Sequence, residues 1–136
     1  MDWIIGIENA INFIESHLTD EISYEDIAKQ SFLSSYHFQR IFSTSYGFTL
    51  GEYIRMRRLS LAAAELADGH AKVIDTALKY GYDSPDSFTK AFVRFHGITP
   101  SDARKDGAVL KSFSRLSVNL TLKGGTQMNY RIVELQ

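Results

Sequence analysis

Tyr36, Gln39, Arg40 and Ser43 stand at i, i+3, i+4 and i+7, the spacing that places four side chains on one strip of a helix. These residue types suit a flat surface edged with hydrogen-bonding groups. A Gln amide pairs bidentately with the edge of an adenine and an Arg guanidinium with that of a guanine, each good contact discriminating by about 1–3 kcal/mol. An aromatic residue such as Tyr36, near the helix start, suits a thymine methyl or a phosphate. Further along, Lys90 takes the place of Arg40 and Asp86 that of Tyr36, with Ser87 beside them. Phosphates repel a carboxylate unless it caps the helix start or accepts a hydrogen from cytosine N4. Capping is the role expected for Asp86, so this second set is expected to hold backbone more than it reads bases. The surrounding hydroxyls and cations, Ser31, Ser34, Ser35, Thr44, Ser84, Arg94 and Thr99, are candidate phosphate ligands, together with backbone amides at helix starts. The plain alternative is a solvated polar face on each helix.

Repetition argues against that alternative. The pairs Ser34/Ser84, Phe38/Phe88, Arg40/Lys90, Phe42/Phe92, Gly47/Gly97 and Thr49/Thr99 recur at an offset of fifty residues, and Asp26/Asp75 and Ala28/Ala77 at forty-nine. Each copy reads as a short helix, a tight turn and a second helix anchored by aromatic residues four apart. Two equal units on a short chain suit a ligand gripped twice, and a duplex with equivalent grooves one turn apart is such a ligand.

The elements that must position these residues are punctuated clearly. Ile4, Ile7, Ile11, Ile14 and Leu18 form one helical face of about fifteen residues. Ser23 to Asp26 resembles a capping box opening a short helix to about Gln30. Ser34 caps a helix to about Tyr46 with Phe38, Ile41 and Phe42 inward and Gly47 as its stop. Thr49 caps a long helix over about 50–67, ended by Asp68-Gly69. At about 1.5 Å per residue it spans roughly 27 Å, close to the ~34 Å between successive major-groove faces. Of its basic residues Arg55, Arg57 and Arg58, one or two are expected to face acids or core edges, Arg58 at the core boundary. Residues 73–80 form the second short helix. Ser84-Pro85 opens the next, with Phe88, Ala91, Phe92 and Phe95 inward and Gly97 as its stop, and Thr99-Pro100 starts a last short one.

Composition sets bounds. A chain of 136 residues, 44% of them apolar, can bury one ordinary core or two small ones. Without cysteine there are no disulfides or thiolate sites. No apolar run approaches the ~20 residues of a membrane span, and the N-terminus lacks a signal-peptide pattern. A cytoplasmic protein without membrane contact is expected. Net charge is −1, which does not by itself favour nucleic acid. Its distribution does: residues 1–26 carry seven acids and no Lys or Arg, whereas residues 36–58 carry four Arg against Glu52 alone. His17, His37, His70 and His96 are scattered without a metal or triad spacing, and His37 and His96 are expected as surface or packing residues. No cofactor, no metal and no enzymatic activity are expected.

Residues 106–136 change character. Val118, Leu120 and Leu122 alternate with polar residues, Gly124-Gly125 marks a turn, and Met128, Tyr130 and Ile132 alternate again. One hairpin is too little to be stable alone. It either packs on the helices or begins a further domain, and the second is the reading preferred from sequence.

From Gly81 the chain runs Gly-Tyr-Asp-Ser-Pro-Asp-Ser-Phe-Thr-Lys-Ala-Phe, then Gly97-Ile98-Thr99-Pro100 and Arg104. This resembles the AraC/XylS family of bacterial transcription regulators, with Tyr53-Ile54, Arg58-Leu59 and Ala62 resembling its linker helix. The resemblance covers about residues 4–105. It implies an all-α fold of two helix-turn-helix subdomains joined by a long linker helix, plus a short C-terminal tail with a strand-like pattern. The expected boundaries are 1–48, 49–68, 69–105 and 106–136. In this family bases are contacted from the positions matched by Tyr36, Gln39 and Arg40, and in the second unit by Asp86, Ser87 and Lys90. Some residues depart from the pattern. Phe32 replaces a small turn residue, and since a bulky side chain tolerates positive φ poorly the first turn is expected to be built differently. Thr76 replaces an aliphatic, which is expected to weaken the packing of its helix, and Ala103 replaces an aromatic.

The expected function is sequence-specific binding of double-stranded DNA at an asymmetric site, with contact to RNA polymerase. A helical protein-interaction module and a non-specific architectural DNA binder stand as alternatives. Residues 128–134 resemble the first strand of a gyrase-inhibitor-like effector domain, so the chain is expected to be a fragment, and a small-molecule effector is expected only through that missing domain.

Overall fold

The computed structural model describes residues 2–121, 125–129 and 132–135, with side chains over residues 3–117. Seven helices come first: α1 (Asp2–Ser16), α2 (Tyr24–Lys29), α3 (Ser35–Tyr46), α4 (Leu50–Ala67), α5 (Val73–Lys79), α6 (Pro85–His96) and α7 (Pro100–Ala103). Four strands follow: β1 (Leu110–Phe113), β2 (Ser117–Thr121), β3 (Gly125–Asn129) and β4 (Ile132–Leu135). The chain divides into two compact units, Met1–Ile54 with Ser114–Arg131, and Arg55–Phe113 with Ile132–Gln136. The division falls within α4.

In the first unit the expected face of α1 is the buried one: Ile4, Ile7, Ile11 and Ile14, with Ala10, and Leu18 beyond the helix end. It packs against α2. Phe38, Phe42 and Tyr46 lie one turn apart along α3 and are buried. Phe42 meets Tyr53 of α4 at 5.7 Å between ring centres, and Tyr46 stacks on Phe48 at 6.1 Å. Each fully buried Phe contributes about 1.5–3 kcal/mol of burial free energy, so one helix face locks α3 and leaves the other to solvent. Gly6 is a packing requirement, because a Cβ there would sit 2.9 Å from the Ser31 carbonyl oxygen.

The turn between α2 and α3 departs from expectation. Phe32 does take positive φ, at 62°. The corner takes the left-handed backbone despite the bulky residue, and the ring is turned out into solvent, 90% exposed. The same corner in the second unit is Gly81, at φ 87°.

The second unit packs Leu59, Ala62, Ala63 and Leu66 of α4 against Ala77, Tyr80, Phe88, Phe92, Ala103 and Leu110. Ala103 is fully buried, so a small residue suits the place where an aromatic was expected. Thr76, expected to weaken α5, is buried with its hydroxyl donating to the Lys72 carbonyl at 2.9 Å, which satisfies the one polar group it brings inside. Arg58 lies against the corner at Gly81, as expected of a boundary residue: a Cβ on Gly81 would stand 3.5 Å from its Nη1.

Residues 110–116 do not behave as a detached linker. Leu110, Phe113 and Leu116 are buried. In the second unit the Phe113 amide donates to Ser60 Oγ at 2.8 Å, and Arg57 Nη1 donates to the Phe113 carbonyl at 2.6 Å. In the first, the Leu116 amide donates to the Tyr53 hydroxyl at 3.3 Å, and Tyr53 donates to Glu15 at 2.9 Å. This stretch therefore packs on the helices, where Ser60 and Tyr53 give its backbone side-chain partners in addition to the strand pairing of β1. The alternating pattern further on does form strands. β2 pairs with β3 antiparallel, Ser117 opposite Asn129 and Thr121 opposite Gly125. β1 pairs with β4, Leu110 opposite Leu135 and Phe113 opposite Ile132. The expected strand residues Leu122 and Tyr130, and the turn residue Gly124, lie outside the described residues.

Candidate nucleic-acid interface

Each outward helix begins on a side-chain cap. Ser34 Oγ accepts from the His37 amide at 3.2 Å and lies 2.7 Å from His37 Nδ1. Ser84 Oγ accepts from the Ser87 amide at 3.2 Å. Thr99 does the same for α7, accepting from the Asp102 amide at 3.1 Å. Both outward helices end on a left-handed glycine, Gly47 at φ 82° and Gly97 at φ 80°.

On α3 the polar strip is where its spacing placed it. Tyr36 is 66% exposed, and Arg40 is exposed one turn later with Nη1 donating to the Tyr36 phenolic oxygen at 3.0 Å. Gln39 is half-buried, and its Nε2 donates to Ser35 Oγ at 2.9 Å. Ser43 turns its hydroxyl back on its own helix, donating to the Gln39 carbonyl at 2.9 Å. Thr44 is exposed but lines an open groove with His37, Arg40, Ile41 and Ser45 that Trp3 of α1 closes on one side.

Ser31 is a correction. It is 5% exposed, and its hydroxyl donates to the Ala28 carbonyl at 2.6 Å while accepting from the Leu33 amide at 3.3 Å. It builds the turn and has no surface to offer a phosphate.

On α6, Lys90 and Asp86 form an exposed ion pair at 3.2 Å. Asp86 was expected to cap; the cap is Ser84, whose shorter side chain and extended backbone (φ −145°, ψ 153°) suit the position, and the carboxylate points along the helix to Lys90. Ser87 donates to the Ser84 carbonyl at 3.0 Å and stands in the first turn. Arg94 is exposed in the last turn. His96, the last residue of α6, is buried and belongs to packing: Nε2 lies 2.9 Å from the Leu59 carbonyl oxygen, and Nδ1 accepts from the Lys111 amide at 3.1 Å. Burial lowers its pKa below the ordinary value.

Two aromatic residues beside the α3 strip were not among the expected contacts. Trp3 escaped notice because the periodicity of α1 directs attention to its buried face. Phe32 reads in the sequence as a turn residue. The signal in both cases was the residue type, a large ring at a position the core does not claim. Among the described residues no cluster of three or more His, Cys, Asp or Glu could hold a metal ion, and no helix is long and apolar enough to cross a membrane.

Two capped helices, each locked by an aromatic face and exposing a polar strip after a tight turn, define a tandem helix-turn-helix protein. Comparison with known proteins agrees: residues 27–106 match the family described as Helix-turn-helix domain. The chain is 46% identical over 95 residues to the HTH-type transcriptional activator AarP of Providencia stuartii, covering 70% of each. It is 41% identical over 98 residues to Regulatory protein SoxS of Salmonella typhimurium, covering 72% of this chain and 92% of that one. Among solved structures, an AraC-type transcriptional regulator from Chromobacterium violaceum superposes with a TM-score of 0.68 at 23% identity, over 73% of this chain and 88% of the other. The DNA-binding domain of AdpA, solved in complex with a target DNA, gives 0.66 at 22% identity, over 73% and 89%. The chain belongs to the AraC/XylS family of helix-turn-helix transcription regulators.

Proposed function

We propose that the protein regulates transcription by binding an asymmetric duplex site, with α3 and α6 each entering a major groove. The observation that carries this reading is the pairing of opposite faces on α3. Phe38, Phe42 and Tyr46 hold one side in the core, while Tyr36 and Arg40 stand exposed on the other beyond a Ser34 cap. Tyr36, Gln39, Arg40 and Ser43 read bases in the first element. Asp86, Ser87 and Lys90 occupy the second, which holds backbone more than it reads bases. Ser34, Ser35, Thr44, Ser84, Arg94 and Thr99 contact phosphates. Contact with RNA polymerase follows from a role as regulator and would use surface away from both strips.

Selection from a random duplex library tests the reading. The expected winner is an asymmetric site with two short elements about one helical turn apart. Gln39→Ala/Arg40→Ala should relax one element and leave the other. Binding of the winner should fall with salt at a log–log slope near −0.9 per phosphate neutralised. No enriched site, or a slope near zero, would remove the DNA-reading assignment.

A further inference from the structure

We infer that Phe32 is an additional DNA contact of the first unit, pressing its ring on the apolar deoxyribose edge at the rim of the groove that α3 enters. This rests on the reading of α3 as a groove helix. The argument begins with what the corner costs. A left-handed backbone is unfavourable for a residue with a Cβ and worst for a bulky one, yet Phe32 holds φ 62°. Nothing in the core repays it, since the ring is 90% exposed. Neither does the turn require it. The corner is closed by the Ser31 hydroxyl and by backbone bonds, Ser31 N to the Ala28 carbonyl at 2.9 Å and Phe32 N to the Lys29 carbonyl at 3.4 Å. All of these survive with glycine. The chain itself demonstrates the alternative, because the equivalent corner of the second unit is Gly81 at φ 87°. Strain of this kind, kept without a structural return, marks a functional position.

Its place in the unit indicates the ligand. Phe32 precedes the Ser34 cap by two residues and Tyr36 by four. A recognition helix enters the groove by its N-terminal end, so the residues just before the cap lie over the groove's edge, where sugar faces are the apolar surface and base edges are out of reach. A contact of that kind adds affinity without sequence preference and without neutralising a phosphate.

The test uses Phe32→Gly and Phe32→Ala in the full chain, titrated against the selected duplex and an unrelated duplex of equal length over a range of salt. If wild type binds no duplex, the groove-helix assignment falls before this one is reached. With binding established, both variants should lose affinity by about fivefold, in keeping with half-burial of one aromatic ring. The loss should be equal on the two duplexes, with the salt slope unchanged. Phe32→Gly should denature at an unchanged or higher urea concentration, because glycine relieves the corner. Greater stability with weaker binding is the combination that a merely tolerated residue cannot produce. Wild-type affinity in both variants, a loss in Phe32→Gly alone, or a loss confined to the selected duplex would each overturn the rim contact.

Discussion

The Arg40 guanidinium donates to the Tyr36 phenolic oxygen at 3.0 Å, one turn apart on the exposed face of α3. The phenol thus holds a long, rotamer-rich side chain in place before any ligand arrives. Ordering such a side chain on binding costs about 0.5–1.5 kcal/mol, part of which the bond removes in advance. Tyr36→Phe deletes the acceptor and keeps the ring. It should weaken binding to the selected duplex by about two- to fivefold with base preference intact. Arg40→Ala should instead flatten the preference at the base it reads. Anisotropy titrations against every single-base variant of the site separate the two; wild-type affinity in Tyr36→Phe would exclude preorganisation.

The exposed Asp86–Lys90 pair at 3.2 Å sets a carboxylate beside the cation that corresponds to Arg40. Near phosphates that carboxylate opposes binding while it masks Lys90. Asp86→Asn should therefore raise affinity for any duplex and steepen the salt slope by about 0.9, the amount expected when one more phosphate is neutralised. The same variant should lose a little stability, since an acid in the first turn favours the helix dipole. Titration at several salt concentrations reads the slope directly, and an unchanged slope would place Lys90 away from phosphate.

Sequence carried far where the cause is local. Residue type and neighbours place Ser34, Ser84 and Thr99 at helix starts, and each accepts the amide three residues on. The orientation of the α3 strip followed from Phe38 and Phe42, whose burial leaves Tyr36 and Arg40 outside. What escaped depends on partners distant in sequence. Leu110, Phe113 and Leu116 are spaced by three, which belongs to neither a strand nor a long helix face, and their fixing groups, Ser60 and Tyr53, lie more than fifty residues earlier. Ser31 resembled the other surface hydroxyls until the close approach of Gly6 buried it. Phe32 illustrates a third case, in which the local rule against a bulky residue at positive φ was correctly stated and the chain breaks it.

Ser60 holds the buried Phe113 amide at 2.8 Å while its own hydroxyl donates to the Met56 carbonyl at 2.7 Å. Ser60→Ala removes that acceptor. The expected cost is about 0.5–1.5 kcal/mol, the net worth of one intramolecular hydrogen bond. Urea denaturation should show it as a lower midpoint. Hydrogen exchange should show faster exchange at Phe113 than in wild type, and unchanged protection there would mean that Ser60 contributes nothing to holding the strand.

His96 is arranged to stay neutral. Its Nδ1 accepts from the Lys111 amide at 3.1 Å, which leaves Nε2 to donate to the Leu59 carbonyl at 2.9 Å. A proton on Nδ1 would face an N–H and break the first of these bonds. Burial pushes the imidazole below its ordinary value of 6.5, and the Lys111 charge adds to the shift while the Leu59 bond opposes it. The unfolded chain therefore takes up the proton more readily than the folded one. Stability from this residue is complete above about pH 6.5, declines as pH falls from there toward the lower folded value, and levels off beneath it. Carboxylates titrate in the lower part of the same range, so the informative quantity is a difference. His96→Gln can still donate to Leu59 and has nothing to titrate. Urea denaturation of both proteins from about pH 7.5 down to about pH 5 should show wild type the more stable at the top, with its advantage shrinking as the pH falls below about 6.5. A constant gap would mean that the imidazole titrates alike folded and unfolded, and that the Lys111 bond does not depend on its neutral form.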